Sequence, residues 1–210
     1  PMKLVSDSFN QGQAIPAQFA FARIAPDTHI TLSDNINPHL AWTDIPAGTQ
    51  SLVLICHDAN VPSTGEDVNQ EGKTLPVTRT RIDFFHWVLL DIPPSTTEIP
   101  AGSHCRGVTP RGKSGPAAPG GLRHGLNDYT GWFAADPEMA GPYFGYDGPC
   151  PPWNDEQLHD YVFTLYAIDV PALEVAGDLD GRSVRQALAG HVLATATLSG
   201  FYSLNPAVSA

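Results

Sequence analysis

Three apolar runs, each stopped by a proline-bearing segment, constrain the fold of this chain more than any other feature. SLVLIC (Ser51 to Cys56) runs out into DANVPST, FFHWVLLDI (Phe84 to Ile92) stops at PPSTTEIPAG, and YVFTLYAIDV (Tyr161 to Val170) stops at Pro171. β-Branched and aromatic residues dominate these runs, so they read as strands, and DANVPST reads as a loop. The 20 prolines and 19 glycines are spread between apolar runs without a repeat, which favours many turns and long ordered loops over a helical bundle. A chain of 210 residues that is 42% hydrophobic and 16% charged suits one domain, residues 1–210, around a single core.

The remaining segments fit the same picture. Residues 3–25 alternate loosely and can supply one or two edge strands, and a short strand is expected around Trp42. Residues 63–80 show no period and read as a loop insertion. From 103 to 146 glycine or proline recurs every few residues, a second loop insertion of a length that is usually functional or mobile. Arg182 to Leu193 is rich in helix formers and spaces Val184, Leu188 and Val192 along one helical face; ATATLSGFYSL then closes the chain as a strand. The expected architecture is mainly β, with a few short peripheral helices and long Gly/Pro-rich loops.

The net charge of −11 opposes binding to DNA or to an anionic membrane, yet leaves room for a small anion in a local pocket. Cys56, Cys105 and Cys150 form no C-x-x-C pair and are an odd number, so neither a disulfide framework nor a thiolate zinc site is suggested. The N-terminus lacks the basic stretch and apolar core of a signal peptide, and Pro1 ahead of Met2 resembles a scar of tag removal. No segment approaches the ~20 apolar residues of a membrane span. A soluble, cytoplasmic protein with reduced thiols is expected.

Three titratable residues stand where an apolar strand meets a proline-rich turn: Asp58, His86 and His159. Strand ends that converge on one sheet edge make a small polar pocket, in which two imidazoles can donate to a phosphate or carboxylate while a carboxylate fixes one ring's tautomer. Each residue also has a plainer reading. A histidine in an apolar strand is commonly a core residue satisfied by backbone, and an aspartate before a turn commonly caps that turn. His29, His39, His57, His104 and His124 are expected at the surface, and His191 on a packed helix. The short spacings of metal sites, the G-x-S-x-G elbow and the P-loop pattern are all missing, so neither a metal nor a cofactor is called for and an enzyme is unsupported.

Four blocks, NPHLAWTDIPAGTQSLVLICHDANVP, FFHWVLLDIPPSTTEIPAG, GPCPPWNDEQLHDYVFTLYAID and GHVLATATLSGFYS, resemble in order and character the phosphatidylethanolamine-binding protein family, in its prokaryotic, Raf-kinase-inhibitor-like branch. The resemblance runs from about Asn37 to Tyr202, apart from 63–80 and 103–146. It implies an antiparallel β-sandwich core and a pocket for phosphate, acetate, cacodylate or a phospholipid head group. The family's D-P-D-x-P loop is similar to Asp58-Ala59-Asn60-Val61-Pro62, keeping Asp58 and Pro62 and departing at Ala59 and Asn60. His86 falls on the family's strand histidine. The G-P-x-P-P and H-x-Y motifs fall on Gly148, Pro149, Pro151, Pro152, His159 and Tyr161, so Asp58, Pro62, His86, Pro152, His159 and Tyr161 are the implied ligand-binding residues.

The resemblance therefore implies non-enzymatic binding of a small anion or head group, and its bacterial members suggest a homodimer. An alternative from another class is an inhibitor or regulator of a protease or kinase that acts through loop 103–146. A hydrolase using His86 and Asp58 lacks a nucleophile. A shared pocket alone does not choose among these roles.

Overall fold

The computed structural model describes residues 1–208. Its elements, in chain order, are β1 (Lys3–Val5), β2 (Ala22–Ala25), β3 (His29–Leu32), β4 (Leu40–Thr43), β5 (Ser51–Pro62), β6 (Arg81–Ile92), β7 (Glu98–Ile99), β8 (Arg123–His124), α1 (Tyr129–Trp132), β9 (His159–Ile168), α2 (Gly181–Ala187) and β10 (Val192–Tyr202). The apolar runs pair with one another: a five-stranded antiparallel sheet has the order β10-β9-β5-β6-β8, and a smaller one the order β1-β4-β7. The mainly β architecture expected from the sequence is what the chain adopts.

Alternation along the central strands assigns each residue to a layer. Leu52, Leu54 and Cys56 of β5, with Phe163 and Leu165 of β9, pack in one core with Leu40 and Trp42 of β4 and Ile99 of β7, which makes the sandwich. Val53 and Ile55, with Val88 and Leu90 of β6, face the other way onto Val184 and Leu188 beside α2. Both faces of the sheet are thus buried at β5 and β6, which is why these central strands read as near-continuous apolar runs.

Three elements differ from the sequence reading. Strand β5 does not end at Cys56 but continues to Pro62, paired on both sides as far as Asp58, which lies opposite Phe84 of β6 and Tyr161 of β9, and with β6 alone beyond it. Helix α2 stops at Ala187; Gly190 adopts a φ of +82°, and Val192 opens strand β10, where it is 40% exposed instead of lying on a helical face. Stretch 103–146 is no free loop: it carries β8 and α1, and buries Tyr129 and Tyr143 against Phe21.

The backbone is closely apposed where the long stretch returns to the core. A Cβ on Gly148 would lie 2.2 Å from the Phe19 carbonyl oxygen, a backbone atom that no rotamer change can move. Gly148→Ala should therefore lower stability by about 1–3 kcal/mol, the range of overpacking, seen as a fall in the urea midpoint with an unchanged slope. An unaltered midpoint would show that the two segments are free to separate.

Candidate functional site

Two register shifts shape the end of the sheet at which the candidate residues gather. Between Cys56 opposite Trp87 and His57 opposite Phe85, strand β6 has one extra residue, His86; between Asp58 opposite Phe84 and Val61 opposite Ile82, strand β5 has one extra. Such bulges re-aim side chains next to functional sites. Asp58 stands between the two shifts.

A cavity of about 250 Å³ lies there, and Asp58, His86, Tyr161, Pro62 and Pro152 line it. Its wall is largely apolar, including Phe84, and its half-exposed rim carries Ile82 and Trp132. Among the described residues, no lysine or arginine lines it. His159 is not in the lining: it is wholly buried behind it. Only one of the two imidazoles expected to face a ligand does so.

The reason lies in what His159 touches. Its Nδ1 is 2.6 Å from Asp58 Oδ2 and its Nε2 is 2.7 Å from Asp155 Oδ2. A ring between two carboxylates can satisfy both only as an imidazolium donating from each nitrogen. Burial alone would lower its pKa, but the two carboxylates outweigh that and push it up to about 9. Asp155 also accepts from Arg81 through both guanidinium nitrogens, at 2.5 and 3.0 Å, and Arg81 donates further to the Asn60 carbonyl. The result is a buried row of alternating charge, Arg81, Asp155, His159 and Asp58. Asp58 Oδ1 accepts the Asn60 N–H at 2.8 Å, so the carboxylate that lines the cavity also caps its own turn, the plainer of the two roles expected for it.

His86 is held differently. Its Nδ1–H donates to the Asp147 carbonyl at 2.7 Å, while the Asp147 N–H donates back to the His86 carbonyl. Carbonyl acceptance fixes the proton on Nδ1 and leaves Nε2 as the untied nitrogen. Burial lowers the His86 pKa, against an opposing pull from Asp58. The Asp147 side chain is secured by Asn35 at 2.8 Å and Asn127 at 2.9 Å. Tyr161 meets His86 edge to face, with centroids 5.2 Å apart. Burial, and then Asp58, hold the Tyr161 phenol well above its usual pKa, yet its Oη forms no hydrogen bond of acceptable geometry, with Asp58 or with any other described residue.

Several of these residues escaped sequence reasoning. Asp155 was legible only as Asp-x-x-x-His ahead of a strand; Arg81, Asp147 and Tyr129 carry no local signal. His191, expected on a packed helix, lies past the end of α2 and pairs with Asp169, and of His29, His39, His57, His104 and His124, expected at the surface, three need correction. His124 is buried and accepts the Trp87 indole N–H, His104 is half-buried, and His57 has a buried Nδ1 without a partner. His29 stacks on Trp153 at 3.6 Å.

The protein-family model described as phosphatidylethanolamine-binding protein matches residues 5–203. YbhB of Escherichia coli is 29% identical over 202 residues, covering 96% of this chain and all of that protein. A phosphatidylethanolamine-binding protein homologue of Chlamydia trachomatis, known from its crystal structure, superposes with a TM-score of 0.61 at 26% identity, over 96% of this chain and 97% of its own. The crystal structure of Escherichia coli YbcL superposes with a TM-score of 0.67 at 23% identity, over 96% and 98% of the two chains, and shares the fold.

The charge row has a pH signature. The folded-state pKa of His159 is raised, so its stabilisation is complete below the ordinary value near 6.5 and is lost as pH climbs through about 9. Asp155 is shifted the other way: burial raises its pKa, but His159 and Arg81 overcome that and hold it low, so its contribution is lost in acid. Unfolding free energy measured from pH 6 to 10 should fall toward the alkaline end, and His159→Leu should cost about 3–5 kcal/mol by stranding the buried Asp58 carboxylate and leaving Asp155 to Arg81 alone. A flat alkaline profile in wild type would mean that His159 is neutral.

Proposed function

This chain belongs to the phosphatidylethanolamine-binding protein family, and on that premise we propose that its cavity binds a small anion, of the phosphate-monoester or phospholipid head-group kind, without transforming it. The observation that carries the reading is the buried Tyr161 hydroxyl, which lies by Asp58 without a well-aligned hydrogen bond, beside the untied Nε2 of His86. A buried donor left unsatisfied costs about 1–3 kcal/mol, a cost that an anionic acceptor removes. The cavity volume of about 250 Å³ falls below that of drug-sized pockets and suits a head group. Ile82 and Trp132 at the rim suit the first carbons attached to it.

In this reading recognition depends on hydrogen-bond donors rather than fixed cations. Asp58 is neutralised by His159, so it repels an anion less than a bare carboxylate, and its spare lone pairs can accept from a protonated phosphate oxygen or an ammonium. His86, neutral in the free protein, takes up a proton as the anion arrives and then donates from Nε2. The site reads as a binding site because the imidazole that reaches the cavity is oriented by a carbonyl, not by a carboxylate that would make it a stronger base. The alternative of a protease or kinase regulator acting through 103–146 has less support, since that stretch is packed into the molecule. A cytoplasmic homodimer completes the proposal, with Cys56, Cys105 and Cys150 as free thiols.

Acetate separates titration of the protein from that of the ligand, because it stays ionised from about pH 5.5 to 8. Calorimetry should show tighter acetate binding at the lower pH, since the lowered His86 pKa must rise on binding. Tyr161→Phe should weaken phosphorylethanolamine binding by roughly tenfold while leaving the fold intact. Wild-type affinity in both Tyr161→Phe and His86→Ala would sink the assignment.

A further inference from the structure

Strand β5 ends at Pro62, and the loop that follows contributes a wall to the cavity: Ser63, Thr64, Val68 and Asn69 line it together with Asp58, His86 and Tyr161. Burial orders these two groups by depth. Asp58, His86 and Tyr161 are buried and form the floor, whereas Ser63, Thr64 and Asn69 are exposed and form the outer side. An outer wall meets whatever is attached to an anion held on the floor.

One buried side chain holds this wall in place. Asn154 donates from Nδ2 to the carbonyls of Asp67 at 2.8 Å and Lys73 at 3.1 Å, and its Oδ1 accepts the Asn69 N–H at 3.0 Å. Arg79 fixes the start of the loop by donating to the carbonyls of Thr64 and Glu66. These bonds place Asn69, whose φ of +56° is a left-handed conformation that asparagine and aspartate adopt more readily than other side chains. Asn69 Oδ1 in turn accepts the Trp153 N–H at 2.9 Å, which sets the orientation of the amide and leaves Nδ2 with no acceptor among the described residues. A turn role accounts for the backbone and for Oδ1, and aspartate would fill it equally well. It does not account for the donor, which aspartate lacks.

We propose that loop 63–69, with Asn154 as its positioning residue, is the specificity wall of the cavity: Asn69 Nδ2 donates to an oxygen of the group esterified to the bound anion, so the site prefers a phosphate ester bearing a hydroxyl or ester oxygen over the bare anion. This rests on the reading of the cavity as an anion site. Tyr161 and His86 recognise the anion itself, and Asn69 recognises what the anion carries. An aspartate at this place would keep the turn but set a negative charge beside the ligand's own.

The test is calorimetry on the full chain with two probes, inorganic phosphate and sn-glycerol 3-phosphate, which adds hydroxyl oxygens to the same phosphate. Wild type should bind the ester more tightly, by roughly three- to tenfold, the worth of one net hydrogen bond. Asn69→Asp keeps the left-handed backbone and the acceptor for the Trp153 N–H while removing the donor, and it should abolish that preference; the repulsion it adds acts on both probes and cancels in their ratio. Asn154→Ala, which releases the loop, should lower the preference as well and leave the affinity for inorganic phosphate unchanged. Tyr161→Phe should weaken both probes alike and preserve the ratio. Equal affinities in wild type, or a wild-type preference in folded Asn69→Asp or Asn154→Ala, would overturn the specificity wall and leave the anion site standing. Binding of neither probe would overturn the anion site and the wall together.

Discussion

The contact on which the rest of this structure depends is the bond between buried His159 and Asp58, backed by Asp155 and Arg81. Four charged groups, two of each sign, alternate along one line, so each is next to its counter-charge and the row is neutral. Removing any member strands a buried charge, which costs more than the intact row contributes. The row also ties β5, β6 and β9 to the segment before β9, and it fixes Asp58 between two bulges at the edge of the cavity.

This arrangement divides the labour between two histidines that look alike in sequence. His159 is an imidazolium up to about pH 9, used inside the protein, and no ring nitrogen remains for a ligand. His86 is held neutral by burial and keeps one nitrogen untied, so its charge can follow the ligand. A cavity built this way has little net field of its own and selects by hydrogen bonding and shape.

Much of the fold was legible because both faces of the large sheet are buried at its central strands, which writes apolar runs such as SLVLIC and YVFTLYAI directly into the sequence. Asp58, His86 and His159 were legible as polar residues at the borders of those runs, and Tyr161 only through the family resemblance. What joins them was not, because the contacts span long separations: 101 residues from Asp58 to His159, 74 from Arg81 to Asp155 and 61 from His86 to Asp147. Local pattern carries no information at that range. The same limit explains Val192, whose helical spacing is genuine but is overridden at Gly190 by a turn into the pairing of β10 with β9. The Gly/Pro-rich stretch misled in the other direction: its composition indicates a loop, while Tyr129 and Tyr143 give it an anchored interior.

The most direct test of this account is a crystal structure of the protein grown with saturating phosphorylethanolamine. The account predicts the phosphate oxygens within hydrogen-bond reach of Tyr161 Oη and His86 Nε2, with His159 still bonded to Asp58 and Asp155. A phosphate bonded to His159 in place of Asp58, or an empty cavity at saturation, would contradict it.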